Sequence, residues 1–374
     1  MAMPGKDPVT FVVCGLGGIS EHWLRVFSET SDAAPVAFVD PDRSKFEKLK
    51  EWGDFAELPR FVQLEDAYKE VDAEATLILT PPQYHARYMI EAMENLHHVL
   101  SEKPFCTETN QLRHVLARYR HVTEETGENL VVVVNQQYRY MDRIEEIKKV
   151  LWSGRIGRPG FVVSVFNEPD YHFNLWWRQQ HQDISFANWF IHHIDTMRYI
   201  LGEDPNSPAA KPVEVYARPF RVPWTKIVGE SSLFMQVLFD NGVYWSYNAS
   251  QEARGHPSPG QSEFIIHCEK GTIENPRRGN PVLTVGGGAR AQDETIGEDY
   301  GDVDFKYPPS WDRTMALFVD AVRNDGKAQP KLTTIEDNKW TIAIMFAARE
   351  SMYRRRPVDV KEFMTRVVGP YFDD

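Results

Sequence analysis

The sequence predicts an α/β protein of two domains: a doubly wound parallel sheet, then an α/β domain built on an open, mostly antiparallel sheet. Three observations predict it. The first third alternates short apolar runs with segments of helical spacing, as strands buried on both faces and joined by helices do. From about Gln137 the runs lengthen and alternate in polarity. The length, 374 residues, suits two domains of ordinary size with a sizeable core.

The first-domain strands are expected at Phe11–Cys14, Val36–Val39, Thr76–Leu79, His98–Leu100 and Leu130–Val134. Helical spacing runs over Glu21–Ser28, Arg43–Trp52, His85–Asn95 and Thr109–Thr126. The division into 1–137 and 138–374 follows from the change of pattern at Gln137. Past it, a helix over Arg143–Trp152 stops at Gly154, and strands are expected at Phe161–Phe166, Leu233–Phe239, Val243–Ser250 and Phe264–Cys268. Asn241-Gly242 joins two of these as a two-residue hairpin turn, which needs positive φ at both positions. Closing helices are expected at Trp311–Arg323 and Ile335–Tyr353, with Thr333 or Thr334 capping the second. Loops are read at Pro205–Pro212, Arg254–Gln261 and Gly286–Asp304. The last carries six acidic residues with no basic one after Arg290, and reads as a solvated excursion.

Hydrophobic residues are 42% and charged residues 26%, the balance of a globular chain rather than a disordered one. Forty-two Lys and Arg against 54 Asp and Glu leave a net charge of −12, which repels nucleic acid; the only dense basic run is Arg354-Arg355-Arg356. Cys14, Cys106 and Cys268 are far apart and lack metal or redox spacing, so a reducing, cytoplasmic compartment is expected. The polar N-terminus lacks a secretion signal and no apolar run is long enough for a membrane span, so no membrane partner is expected.

The chemistry begins at the end of the first strand. Gly15-Leu16-Gly17-Gly18-Ile19-Ser20 sets glycines between a strand and a helix, with Ser20 where the third glycine of GxGxxG usually stands. The first glycine allows the tight turn, and the second lets the backbone approach a pyrophosphate at the helix N-terminus. Asp40, at the end of the second strand, is placed to accept hydrogen bonds from the adenosine ribose, favouring NAD over NADP; Arg43 nearby leaves dual use open. Thr80-Pro81-Pro82-Gln83-Tyr84-His85 and Ser101-Glu102-Lys103-Pro104 follow two further strands, at the carboxyl edge where open α/β sheets bind ligands.

These stations, with Tyr138-Arg139-Tyr140 and His192-His193-Ile194-Asp195-Thr196-Met197-Arg198, resemble in order those of the glucose–fructose oxidoreductase/inositol dehydrogenase/MocA family. The resemblance runs over nearly the whole chain. It implies a Rossmann domain, an open-sheet second domain, a bound NAD, less readily NADP, and redox chemistry on a secondary alcohol of a sugar or cyclitol. It also implies a homodimer or homotetramer packed sheet to sheet. Cofactor contacts are implied at Gly15 to Ile19, Asp40, Thr80, Pro81, Pro82, His85, Glu102, Lys103, Gln136, Trp177 and Arg178. Substrate contacts are implied at Lys103, Tyr138, Asp183, Asn188 and His192.

The resemblance makes Lys103 the cation beside the substrate oxygen, where it stabilises alkoxide charge as hydride leaves. It makes His192 the general base, whose imidazole titrates near neutrality. Asn188 stands where the family often carries a catalytic carboxylate; four residues before His192 it shares a helix face, and its amide can orient but not take a proton. Asp195 and Arg198 are expected to pair structurally, and His193 to pack. His181 and Asp183 replace the family's glycine-rich run, and one or two of Trp176, Trp177, Trp189, Trp224 and Trp245 are expected to touch substrate. No metal site is expected. Two other classes are kept beside the dehydrogenase: a glycoside-cleaving enzyme that oxidises its substrate transiently, and a non-catalytic NAD(H) sensor.

Overall fold

The computed structural model describes residues 7–168, 186–204, 207–297 and 310–372. Two compact units form, one from Met1–Gln137, Pro309–Asn338 and Val367–Asp374, the other from Tyr138–Pro308 and Lys339–Arg366.

In the first unit β1 (Val9–Cys14), β2 (Ala33–Val39), β3 (Arg60–Phe61), β4 (Ala75–Ile78), β5 (His98–Ser101) and β6 (Val132–Val134) make one sheet in the order β3-β2-β1-β4-β5-β6. Every pairing is parallel. The order reverses between β1 and β4, the crevice where such sheets take ligands. Phe11, Val12, Val13, Leu77, Val99 and Val133 are wholly buried, which is why these runs show no alternation. The helices are α1 (Ser20–Glu29), α2 (Leu64–Glu70), α3 (Pro82–Glu94) and α4 (Thr109–Thr126). α3 starts three residues before the expected His85: Pro82 sits in its first turn, where a missing N–H costs nothing and the fixed φ suits a helix. Arg43–Glu51 is a 3₁₀-helix rather than an α-helix. Its two buried residues, Phe46 and Leu49, are three apart, the 3₁₀ repeat.

The second unit opens with α5 (Asp142–Leu151) and β7 (Pro159–Asn167), followed beyond a π-turn at Phe186–Phe190 by α6 (Ile191–Leu201). Next come β8 (Pro212–Phe220), β9 (Ser232–Phe239), β10 (Tyr244–Ser250), β11 (Glu263–Cys268), β12 (Gly271–Asn275), β13 (Val282–Val285) and β14 (Gln292–Thr295). With β15 (Val358–Asp359) they form a nine-stranded sheet, β14-β13-β12-β11-β7-β10-β9-β8-β15, in which only β7 and β10 are parallel. The β9–β10 turn differs from the expected two-residue form. Phe239 N donates to Val243 O around Asp240, Asn241 and Gly242, and of these only Gly242 has positive φ, at 82°. That is a type I turn closed by a left-handed glycine. The acidic stretch after Gly286 is likewise not all loop. Gln292–Thr295 pairs with β13 as an exposed edge strand whose Asp293 and Glu294 bond Thr284 and Arg155. With every side chain exposed it carries no alternation to read.

The chain then runs into α7 (Ser310–Arg323), α8 (Ile335–Arg354) and α9 (Val360–Val368). Sequence order assigned all of 138–374 to the second domain, but α7 belongs to the first unit. Phe318 packs its ring 5.6 Å from Phe11 of β1, and Arg323 pairs with Asp32 at 2.8 Å. Contacts so distant in sequence are invisible to a reading by chain order.

Candidate functional site

Gly15 has φ of +102°, and a Cβ there would lie 2.8 Å from the Leu79 carbonyl carbon and 2.9 Å from Thr80 N. Backbone sign and crowding both demand glycine, because the end of β4 lies against this turn. At Gly17 and Gly18 nothing lies within 4 Å of an added Cβ, so the backbone faces open space. Ser20, wholly buried, donates its hydroxyl to Gly17 O at 2.7 Å and so closes the turn that a third glycine would otherwise make. Lys48, which the sequence reading passed over, reaches the same carbonyl at 2.8 Å. Only its place after Asp40 could have hinted at this.

Asp40 ends β2 with both oxygens in use. Oδ2 accepts from Leu16 N at 2.8 Å and Oδ1 from Asp42 N at 2.9 Å. Each carboxylate oxygen has a second lone pair, so two further donors can still be met. Ile19 lies at the N-cap of α1.

The turns after β4 and β5 are braced by side chains. His85 is buried in α3 with Nδ1 2.7 Å from Pro104 O and Nε2 2.6 Å from Thr80 O. Both nitrogens face backbone, so the ring ties the Thr80-Pro81-Pro82 turn to the Lys103-Pro104 turn instead of presenting a nitrogen outward. Burial holds its pKa below the usual histidine range. Glu102 is also inward: Oε1 accepts from Trp23 Nε1 at 3.0 Å and Asn135 Nδ2 at 2.8 Å, linking α1 with the ends of β5 and β6. His85 and Glu102 are therefore supports of the turn, not its lining. Lys103 between them is half-buried.

Two polar groups on this edge are buried without a hydrogen-bond partner, Thr80 Oγ1 and both amide atoms of Gln136, beyond β4 and β6. Each orphan costs on the order of 1–3 kcal/mol, which a bound polar ligand removes. An open glycine backbone, a carboxylate with spare lone pairs and two orphaned polar groups fit a dinucleotide. Gly15 to Ile19, Asp40, Thr80 and Gln136 would hold it.

In the second unit His192, in the first turn of α6, stacks on Tyr138 with ring centroids 4.3 Å apart. Both are buried, and burial pushes the Tyr138 phenol up, with Glu168 adding to it. Asn188 lies half-buried in the π-turn just before α6. Asp195 accepts from Arg139 Nη2 at 2.7 Å and Thr341 Oγ1 at 2.8 Å, and Arg198 donates to Thr341 Oγ1 at 2.7 Å and Ala210 O at 3.0 Å. Asp195 and Arg198, expected to pair on α6, are thus joined through the Thr341 hydroxyl, with Asp195 also gripped by Arg139. His193 packs, as its position on the helix implies, with Nε2 2.7 Å from Gly260 O and Nδ1 on the Tyr247 hydroxyl. Trp245 is buried and donates to Ser164, so it is no substrate platform; Trp224 is exposed. Trp176, Trp177, Arg178, His181 and Asp183 lie outside the described residues. Glu168, just past the end of β7, is buried.

Among the described residues no group of three or more His, Cys, Asp or Glu could hold a metal ion, and no helix is long and apolar enough to cross a membrane.

A six-stranded 3-2-1-4-5-6 sheet with a glycine turn and an acidic residue ending β2 defines a dinucleotide-binding protein of the Rossmann class. Residues 9–129 match GFO_IDH_MocA, the oxidoreductase family with an NAD-binding Rossmann fold, and residues 144–274 match the GFO/IDH/MocA C-terminal domain. The chain belongs to this family of NAD-binding oxidoreductases. It is 23% identical to inositol 2-dehydrogenase of Mycolicibacterium gilvum over 363 residues, 93% of this chain and 92% of that protein. With 1,5-anhydro-D-fructose reductase of Ensifer adhaerens it shares 23% over 288 residues, 75% of this chain and 78% of that one. Among solved structures, an Agrobacterium radiobacter oxidoreductase in complex with NAD+, L-tartaric acid and magnesium superposes with a TM-score of 0.78 at 20% identity, over 96% of this chain and 100% of that one. The WlbA dehydrogenase of Bordetella pertussis, with NADH and UDP-GlcNAcA, gives 0.72 at 19%, over 94% and 99%.

Proposed function

We propose that this protein is an NAD-dependent dehydrogenase acting on a secondary alcohol of a sugar, cyclitol or sugar derivative. The observation that carries it is the carboxyl edge of the first sheet, where the open Gly17-Gly18 backbone, Asp40 and the orphaned Gln136 amide stand in one unit with Lys103. The inositol dehydrogenase and anhydrofructose reductase among its relatives support the substrate class.

A nicotinamide cofactor, when bound, would supply the carbon that takes up hydride. Lys103 hydrogen-bonds the substrate oxygen and stabilises its developing negative charge. His192 removes the hydroxyl proton on oxidation and returns it on reduction, a contribution of typically ~10²–10⁴-fold. Asn188 orients the substrate or the imidazole, and Tyr138 backs the ring. Asp40 sets the preference for NAD through the ribose hydroxyls. The enzyme works as a homo-oligomer built on the exposed face of the nine-stranded sheet.

The test is a screen of purified protein with NAD and NADP against sugars, cyclitols and glycosides, followed by nicotinamide absorbance. Net reduction of NAD by one of them is expected. No turnover across a broad panel with either cofactor would sink the reading. Lys103→Ala and His192→Ala should each keep NAD affinity while losing most turnover.

A further inference from the structure

We infer that Lys48 is a further cofactor-binding residue, which supplies the positive charge that meets the diphosphate of NAD at the glycine turn. The inference concerns the cofactor and does not depend on which alcohol is oxidised.

Lys48 is carried by the 3₁₀-helix over Arg43–Glu51, which follows β2. Asp42 starts that helix by accepting from Ser44 N at 3.0 Å and Ser44 Oγ at 2.7 Å, and the buried Phe46 and Leu49 anchor it on both sides of Lys48 in sequence. The lysine side chain reaches across to the start of α1. Its Nζ lies 2.8 Å from Gly17 O, 3.3 Å from Ser20 Oγ and 3.2 Å from Glu21 Oε1. A cation is thereby fixed at the edge of the Gly17-Gly18 backbone, where an added Cβ would meet no atom within 4 Å.

This is the wrong end of a helix for a cation. The first N–H groups of α1 already present partial positive charge, and its N-cap residue, Ile19, offers no side-chain acceptor. A lysine there adds to that field instead of offsetting it. The arrangement becomes favourable once the N–H groups and the ammonium face the same anion. The neighbouring carboxylates show why backbone N–H groups alone fall short. Asp40 ends β2 with Oδ2 on Leu16 N, and Glu21 stands in the first turn of α1. Two carboxylates beside the turn, in a chain of net charge −12, repel a diphosphate. Glu21 partly offsets Lys48 in the free chain. Its side chain is 57% exposed against 21% for Lys48, so a weak surface pair holds it and it is the partner that can turn to water.

The experiment is displacement of NADH from the full chain by NAD, NADP, ADP and adenosine, followed by nicotinamide fluorescence and referred to each variant's own NADH affinity. ADP carries the diphosphate and adenosine lacks it. Lys48→Met, which keeps the stem and removes the charge, should weaken NAD and ADP about 3–10-fold and leave adenosine within about twofold. Lys48→Arg should recover most of the loss, and NAD binding to K48M should depend less steeply on salt than binding to the wild type. Glu21→Gln, which removes the competing carboxylate, should tighten NAD about twofold. Unchanged ADP affinity in K48M overturns the inference. So does adenosine that weakens in step with ADP, which would make Lys48 only a brace of the turn, and so does a loss confined to NADP, which would put the charge at the adenosine ribose. Should K48M not fold, E21Q carries the test with Lys48 in place: tighter NAD and ADP with adenosine unchanged supports the inference, and equal or weaker NAD overturns it. No measurement here needs turnover, so a chain that oxidises no polyol would fail the proposed function and leave this result standing.

Discussion

Tyr138 and His192 lie face to face, their ring planes 14° apart and their centroids separated by 4.3 Å. The two residues belong to different elements, and each element is tied down beside the pair. Arg139, next to Tyr138, grips Asp195, one helical turn beyond His192. The buried ion pair therefore fixes the register of the stack. A face-on partner restrains the imidazole plane while leaving its edge, where both nitrogens lie, to other neighbours.

The stack predicts a division between ring and hydroxyl. The Tyr138 phenol is pushed far above its usual range by burial and stays neutral at working pH, so Tyr138→Phe should keep kcat and the pH profile nearly intact. Tyr138→Ala removes the platform, a loss of about 0.5–1.5 kcal/mol, and should lower kcat up to about tenfold with little change in NAD affinity. Steady-state kinetics with cofactor titration reads both.

The glycine turn predicts two unlike failures. Gly15→Ala puts a Cβ against Leu79 and Thr80 at a φ of +102°, so it should lower the melting temperature and abolish cofactor binding together. Gly17→Ala meets no protein atom and should leave the melting temperature unchanged. It should nonetheless weaken NAD severalfold, because the methyl occupies space the pyrophosphate needs. Calorimetric binding beside thermal unfolding separates the two.

Buried histidines set the acid limit of stability. His85, His97 and His98 all have pKa values held below the ordinary range, chiefly by burial. The unfolded chain therefore binds protons first, from about pH 6.5 downward, and stability present above that pH is lost as the pH falls toward the folded-state values. Denaturant midpoints should decline between about pH 7 and 5. His85→Gln should flatten part of that slope, at the expense of stability at neutral pH, where the brace between Thr80 O and Pro104 O is weakened.

The glycine turn, Asp40 and the strand-end motifs were legible in the sequence because each depends on local order: a buried run, a turn, the first turn of a helix. What escaped depends on distance. Glu102 and His85 stand in the right motifs, yet their neighbours Trp23, Asn135 and Pro104 make them supports, which spacing cannot tell. Lys48 reaches Gly17 from 31 residues away, and α7 joins the first sheet through Phe318 and Phe11. β14 lacks an inward face, so it left no periodic trace.

The exposed face of the nine-stranded sheet carries the last prediction. Phe161, Val163 and Ile265 stand there on β7 and β11, with Phe234 of β9 and Tyr244 of β10, the last two 50% and 58% exposed. The register places Phe161 opposite Tyr244 and Val163 opposite Ile265, so these four side chains form a contiguous patch across β11, β7 and β10, while Phe234 stands further along the same face, opposite Asn248. Edge strands are charged, with Asp293 and Glu294 on β14, which opposes edge-to-edge pairing and leaves the face as the surface for association. Apolar patches of this kind are usually covered. A second copy of the chain, packed sheet to sheet, would do so by symmetry. Sedimentation should show a dimer or tetramer for the wild type, and Phe234→Lys combined with Tyr244→Lys should shift it to monomer while each subunit keeps its fold by circular dichroism. A wild-type monomer at all concentrations would remove the oligomer from the proposal and leave the patch to be explained by another partner.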